Sequence, residues 1–456
     1  MSTRANWFPR LAARVSAWLF YRVDLIGDVP TTGPVLLLPN HPNSLLDPAL
    51  VWAKAGRDVR FLAKSTLFNG PMRPILKGAG AIPVYRRMDE GVDLSKNTET
   101  FAAVSAALAD GDAICLFPEG ITHSTGRLES LRTGAARMAL GAERAGTRVA
   151  LVPVGINLER KTAFRSRVTM VFGSPFSCTD LLDRVESDFH GAVRELTDRI
   201  SVNIRRLLVE ADPKRDAGTV ERVERLYASA RGLKEDPQQR LARRQAIATG
   251  IEKLRAASPE RLEAILLRVR QYDDRLRRFG IRDAHLDRRV TSGDAIRFAV
   301  REILIAIGLV PLCIAGFIVF SVPFWVTGRL AKRTAPERAM LATAQLFGGT
   351  VVYGLWLALF VVGAWRIGGR NAAIAMGIAI PVLAVVSLFA IERESAVFDA
   401  VRAWWSIRSR TATRERLKRR RSEIADVVDE VGKWLSETST PNPQLPPPKK
   451  PTAHRP

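Results

Sequence analysis

Apolar and polar positions along this chain fall into blocks of different period. Near the start, Trp7, Phe8, Leu11, Val15, Trp18, Leu19 and Phe20 recur at helical spacing among Arg10, Arg14 and Arg22. That pattern predicts a basic amphipathic helix within residues 1–28. Arg14 interrupts any apolar core and no small-residue cleavage site follows, so a secretory signal is not expected. The helix suits a membrane surface and a face packed on a domain equally well. From Val35 to about Gly173, short apolar runs end in Pro, Gly or polar clusters and read as buried strands: Val35–Leu38, Ala113–Phe117 and Val149–Ile156. Helical patterns lie between them, at Asn97–Ala109 and at Thr133–Ala145, the latter closed by Gly146. Alternating strands and helices predict an α/β domain over 29–190, a mixed or largely parallel sheet with flanking helices.

Beyond Asp180 the pattern turns helical and arginine-rich, broken at Pro213, Pro237 and Pro259, and predicts a helical connector over 191–301. Three uncharged stretches follow, Ile303–Val326, Leu341–Trp365 and Asn371–Ile391, within a membrane domain over 302–392. Each meets the roughly 20 residues needed to cross a bilayer core. Pro311 and Pro323 can break the first. The loop after it carries Arg329, Lys332, Arg333 and Arg338. Three crossings would put this loop and the tail opposite the α/β domain, against the positive-inside tendency. Charge therefore favours two spans plus one broken segment, whereas apolar length favours three. A basic juxtamembrane helix is expected over 393–436, where Arg402–Arg421 holds nine basic residues against one acid, Glu415. Such a cluster suits anionic lipid headgroups rather than nucleic acid. Residues 437–456, rich in proline, read as a disordered tail.

Composition sharpens this picture at two points. The chain has 456 residues and a formal net charge of +23, and almost all its long uncharged runs sit in one region, so a wholly soluble single domain is excluded. Its three cysteines, Cys115, Cys178 and Cys313, lie too far apart for a paired zinc motif and are too few for a disulfide framework. No metal or cofactor is expected.

The candidate chemistry starts at the end of the first strand, in Pro39-Asn40-His41-Pro42-Asn43-Ser44-Leu45-Leu46-Asp47-Pro48. His41 falls at a sheet edge, where α/β sites lie. Pro48 disfavours the α region for Asp47 and suits a first helical turn, so Asp47 is expected to cap a helix starting there. A carboxylate at one ring nitrogen fixes the tautomer and stabilises the imidazolium formed on proton uptake, which is general-base chemistry. The strand Gly80–Arg86 ends in Arg86, preceded by Lys64 in Phe61-Leu62-Ala63-Lys64-Ser65; two such cations suit a phosphate-bearing acceptor. Phe117-Pro118-Glu119-Gly120 puts a carboxylate and a flexible backbone at another strand end. Val152-Pro153-Val154-Gly155 carries a proline that favours an edge or bulge.

These four blocks, in this order, resemble the glycerophospholipid acyltransferase superfamily, the bacterial PlsC-like enzymes and their glycerol-3-phosphate acyltransferase relatives. The resemblance covers roughly Val35–Gly173 and implies that fold type for the α/β domain. It implies that His41 deprotonates an acceptor hydroxyl and that Asp47 orients His41. Lys64 and Arg86 would hold the acceptor phosphate, Glu119 and Gly120 would shape the acceptor site, and Pro153 the donor side. The co-substrate would be an acyl thioester, acyl-CoA or acyl carrier protein, attacked directly by a glycerophosphate or lysophospholipid acceptor on the cytoplasmic face of a membrane. Two departures stand out. Five residues separate His41 from Asp47 where four are usual, and FPEGITHS replaces the familiar EGTRS, leaving His123 or Arg127 in place of an arginine.

Other classes fit less well. No Gly-x-Ser-x-Gly elbow for a serine hydrolase and no phosphate loop of a kinase occurs. His190, His285 and His454 read as surface residues. Glu159-Arg160-Lys161 with Arg165 and Arg167 reads as a basic lip or as plain solvated surface. The strongest non-enzyme alternative is a catalytically inactive acyltransferase-like membrane scaffold or lipid-binding protein, for which an intact set of His41, Asp47, Arg86 and Glu119 has no chemical use.

Overall fold

The computed structural model describes residues 14, 21–44, 46–69, 73–86, 93–123, 125–159, 165–287, 292–334, 341–407 and 411–438. Most of the expected N-terminal helix and nearly all of the expected disordered tail lie outside these residues. The chain divides into two compact units. The first comprises Met1–Glu221 with Glu235–Thr249 and Leu435–Pro456; the second comprises Arg222–Lys234 with Gly250–Trp434.

The first unit is built on seven strands: β1 (Tyr21–Ile26), β2 (Val35–Pro39), β3 (Val59–Lys64), β4 (Ile82–Val84), β5 (Ala113–Cys115), β6 (Ala150–Leu158) and β7 (Ser166–Phe172). They lie in the order β1-β7-β6-β2-β5-β3-β4. Every neighbouring pair is parallel except β6 and β7. The chain between those two is too short for a crossover helix, so β7 must return antiparallel. β1 then pairs parallel to β7 and runs opposite to β2, which brings Tyr21, its first residue, to the edge where β2 and β5 end.

β2 occupies the middle of the sheet, and Val35, Leu36, Leu37 and Leu38 have no exposure at all, as a strand covered on both faces requires. Its alternate residues Leu36 and Leu38 join Ile114 and Leu151 on one face. Against them pack Val104 and Leu108 of helix Asn97–Ala109, Ala139 and Leu140 of Gly134–Arg144, and Leu196 and Ile200 of Phe189–Arg205. Each of these Val, Leu and Ile side chains contributes roughly 1.5–3 kcal/mol on burial.

Four expectations are corrected. Residues 21–26, assigned to the end of an amphipathic helix, form β1. Helix Phe189–Arg205 belongs to the core of the α/β unit, so a boundary at 190 falls too early. Nor do 191–301 form a separate connector, because Glu235–Thr249 belongs to the first unit. Pro153 lies in an interior strand rather than at an edge, opposite a bulge. Val154 pairs with Phe172 but Leu151 with Phe176, so two residues of β6 face three beyond β7, and the Pro153 carbonyl accepts from Gly173 N at 2.9 Å.

The second unit is helical. Arg222 pairs with Asp273 at 2.6 Å and Asp283 at 2.7 Å, and Tyr272 donates to Asp283 at 2.7 Å. Two of its helices contain segments long and apolar enough to cross a membrane, Ile307–Arg333 and Gly348–Ser387. Their apolar side chains are exposed, among them Phe317, Phe324, Leu355 and Ile367, which fits lipid contact. Arg329 lies 3.7 Å over the Trp325 ring, a pairing suited to a membrane interface. Helix Ser292–Thr334 continues through Pro311 and Pro323. A break does fall at Gly369, between the second and third uncharged stretches, where a φ of 70° and ψ of −162° divide Leu341–Ile407 into two arms.

Gly27 ends β1 at φ +73°, and a Cβ there would stand 2.1 Å from the Phe172 carbonyl oxygen. Gly27→Ala is therefore predicted to cost at least about 2 kcal/mol of stability through backbone strain and steric overlap. Thermal unfolding of the full chain checks this; an unchanged Tm would contradict the packing of β1 on β7.

Candidate active site

The turn after β2 carries the central pair. Asn40 anchors its start: its side-chain amide accepts from Ile156 N at 2.7 Å and donates to Ile156 O at 3.2 Å, tying the end of β2 to β6. Ser44 takes a left-handed conformation, φ 50°, rare for a residue with a side chain. Its carbonyl accepts from Asp47 N at 3.2 Å, and Asn43 O accepts from Leu46 N at 3.3 Å. Helix Leu46–Lys54 thus begins before Asp47, which lies inside its first turn and does not cap it. The reversal at Ser44 closes the five-residue spacing and returns Asp47 to His41.

His41 Nδ1 and Asp47 Oδ2 lie 2.8 Å apart, with 17% of the His41 side chain exposed and none of Asp47. The same Asp47 oxygen accepts from Asn43 N at 2.6 Å. An ionised carboxylate only accepts hydrogen bonds, so Nδ1 carries the ring proton of a neutral His41 and Nε2 holds the lone pair. The His41 ring stacks on Phe117, centroids 4.0 Å apart and planes at 27°. That contact limits the ring's rotation about the Asp47 hydrogen bond.

Glu119 forms a second tie. Its Oε1 accepts from His41 N at 2.7 Å, while Oε2 accepts from Glu129 N at 2.9 Å and pairs with His123 Nε2. The Glu119 side chain is fully buried. His123 Nδ1 lies 2.9 Å from Thr125 Oγ1. Gly120 follows at φ +70°, and a Cβ there would meet Arg132 Cγ at 3.3 Å. Its carbonyl accepts from Arg86 Nη1 at 2.5 Å, fastening the guanidinium beside Glu119.

The structure therefore joins His41, Asp47, Glu119, Gly120 and Arg86 by direct contacts. Lys64 ends β3 at the same carboxyl edge, in register with Val84 two residues before Arg86. Pro153 is opposite Leu38 in register and is buried, with its ring against Gly173, so any influence on a substrate passes through packing. Of the basic lip, Arg160 and Lys161 lie outside the described residues. Glu159 is buried against Arg240, and burial raises its carboxyl above the usual range despite that partner. Burial, reinforced by Asp47, also pushes the Cys115 thiol well up. Among the described residues no group of three or more His, Cys, Asp or Glu could hold a metal ion.

Sequence reasoning did not find Tyr21, Asn43, Ser44 or Phe117 as parts of this site. Asn43 and Ser44 lay within the quoted motif, but nothing in their spacing announced a left-handed turn. Phe117 was visible only as a strand end.

A mixed α/β sheet with a carboxylate-held histidine at its strand ends is an arrangement that can do general-base chemistry. Residues 22–157 match the family model described as Acyltransferase, which supports the resemblance of these residues to the PlsC-like glycerophospholipid acyltransferase superfamily. Glycerol-3-phosphate O-acyltransferase 1 of Saccharomyces cerevisiae is 27% identical over 252 residues, 52% of this chain and 31% of the yeast protein. Lyso-ornithine lipid O-acyltransferase of Rhizobium meliloti is 31% identical over 129 residues, 28% of this chain and 42% of that protein. The chain thus spans less than half the length of either relative. The crystal structure of the 1-acyl-sn-glycerophosphate acyltransferase PlsC from Thermotoga maritima aligns with a TM-score of 0.30 and 22% identity, covering 41% of this chain and 77% of that one.

Removing the Glu119 carboxylate leaves the His41 and Glu129 N–H groups without their acceptor, at about 1–3 kcal/mol for each buried donor. Glu119→Ala is predicted to lower Tm and to abolish turnover together; a variant of unaltered Tm would show that the carboxylate does not hold the two loops.

Proposed function

We propose that this protein is a membrane-bound O-acyltransferase. It moves a fatty acyl group from an acyl thioester to the hydroxyl of a glycerol phosphate or lysophosphatidic acid acceptor, a step of phosphatidic acid synthesis. The observation that carries this reading is the contact between His41 Nδ1 and the buried Asp47 carboxylate at 2.8 Å. His41 Nε2 takes the proton of the acceptor hydroxyl as its oxygen attacks the thioester carbonyl. The tetrahedral adduct collapses, the carbon–sulfur bond breaks, and the imidazolium returns its proton to the leaving thiolate. Asp47 stabilises the transient imidazolium. Lys64 and Arg86 attract the acceptor phosphate, and no metal or cofactor takes part.

Membrane attachment is supported by the two apolar helical segments, and the cytoplasmic face is the side proposed for the α/β domain. Within the second unit, the helix that follows the apolar segments is tied to residues that precede them. Arg421 donates to both carboxylate oxygens of Asp287 at 2.7 and 2.6 Å, and Tyr227 donates to Asp429 at 2.7 Å. Chain entering and leaving the bilayer on one side crosses it an even number of times, which favours two crossings over three. The same pairing leaves Arg416 and Arg419, both exposed, rather than the buried Arg421, to meet anionic headgroups.

Membranes containing the full chain, given labelled palmitoyl-CoA and a panel of glycerol 3-phosphate, dihydroxyacetone phosphate, lysophosphatidic acid and a lyso-ornithine lipid, are expected to yield product with a phosphate-bearing acceptor. Product from none of them would favour the inactive scaffold. His41→Ala should abolish transfer while the protein still inserts, and Arg86→Ala should mainly raise the KM for the phosphorylated acceptor. For topology, single cysteines placed at positions 214 and 437 should react with an impermeant maleimide from the same side of sealed vesicles. Labelling from opposite sides would require an odd number of crossings.

A further inference from the structure

The contacts around Asp47 do not end at His41. Asn43, which donates its backbone N–H to Asp47 at 2.6 Å, has no exposure and donates its side-chain amide to the hydroxyl of Tyr21 at 2.5 Å. Tyr21 is 3% exposed. It opens β1, outside all four sequence blocks that define the site, and it reaches the site because β1 runs opposite to β2. The other side-chain atom of that amide, Asn43 Oδ1, is buried and has no hydrogen-bond partner. The Tyr21 hydroxyl therefore makes the hydrogen bond that fixes this side chain.

We propose that Tyr21, acting through Asn43, is a positioning residue for the reaction: it locks the left-handed turn at Ser44 so that Asp47 meets His41 Nδ1. The backbone hydrogen bonds that close the turn itself are long, 3.2 and 3.3 Å. A residue at φ 50° with a side chain also persists only where its surroundings over-determine it. Asn43 supplies that determination twice, by its N–H to Asp47 and by its amide to Tyr21. Burial, with the negative charge of Asp47 adding to it, raises the Tyr21 phenol well above its ordinary range. The ring therefore stays neutral and adds no second anion beside Asp47 across the working pH range.

The inference rests on the acyl-transfer reading above and is tested with the full chain in membranes. Kinetics with palmitoyl-CoA and the accepted acceptor are measured for wild type, Tyr21→Phe, Asp47→Asn and the double variant, with Tm measured for each. Tyr21→Phe keeps the ring and removes the hydroxyl. A small displacement of the catalytic pair should lower kcat by about tenfold to a hundredfold, with acceptor KM changed less than twofold. Because Tyr21 works through Asp47, adding Tyr21→Phe to Asp47→Asn should slow the enzyme no further. A merely structural role predicts the opposite: multiplied losses, a lower Tm and kcat and KM shifting together. Should Tyr21→Phe fail to fold, Asn43→Ser, too short to reach the phenol, carries the same expectations. Unchanged kcat, or losses that multiply in the double variant, overturns the proposal. A wild type that transfers nothing to any acceptor sinks the functional reading instead, so the two failures are distinct.

Discussion

An ionised carboxylate with no exposure to water is tolerated only where hydrogen bonds and a chargeable partner compensate it. At Asp47 the compensation comes from two donors on one oxygen, the Asn43 N–H and the His41 ring. Every other feature of the site serves that arrangement. Phe117 stacks the ring and Glu119 holds the histidine's own backbone. The pair is buried on the Asp47 side and partly open on the His41 side, so in the proposed reaction the imidazolium formed at Nε2 is stabilised by a charge already in place, an electrostatic preorganisation.

The sheet delivers these groups to one place through a single irregularity. Parallel strands β2, β5, β3 and β4 end on a common edge, bringing His41, Glu119, Lys64 and Arg86 there. The antiparallel return of β7 then turns β1 around, so a residue at the start of a strand joins residues at the ends of others. The two sides of β2 thereby differ. Cations lie toward β4, the side proposed for the acceptor phosphate, and the uncharged Asn43–Tyr21 contact lies toward β1.

Much of this was legible in the sequence because it is local. His41 and Asp47 are separated by one turn, and strands such as Val35–Leu38 and helices such as Asn97–Ala109 are announced by unbroken apolar runs or helical period. Contacts that depend on strand order were not legible. Tyr21 sits in a segment whose aromatic and basic residues continue a helical pattern, and only its pairing with β7 makes it a strand. Prolines were only partly informative: Pro153 marks a bulge in an interior strand, whereas the helix Ser292–Thr334 runs on through Pro311 and Pro323. The chain breaks at Gly369, between the second and third apolar stretches, where glycine alone tolerates the backbone angles. Arg421 was read as a headgroup contact, whereas Asp287, distant in sequence, takes it up.

The most direct measurement is the single-turnover rate of labelled palmitoyl transfer by the full chain carrying Asp47→Asn, compared with wild type at matched Tm. The substitution preserves shape but replaces the carboxylate's acceptor oxygens with an amide that can also donate to Nδ1, favouring the wrong tautomer of His41. The account predicts a loss on the order of 10³–10⁴-fold with acceptor binding retained. A variant that transfers within a few-fold of the wild-type rate would contradict it, because the buried carboxylate would then have no part in holding the base.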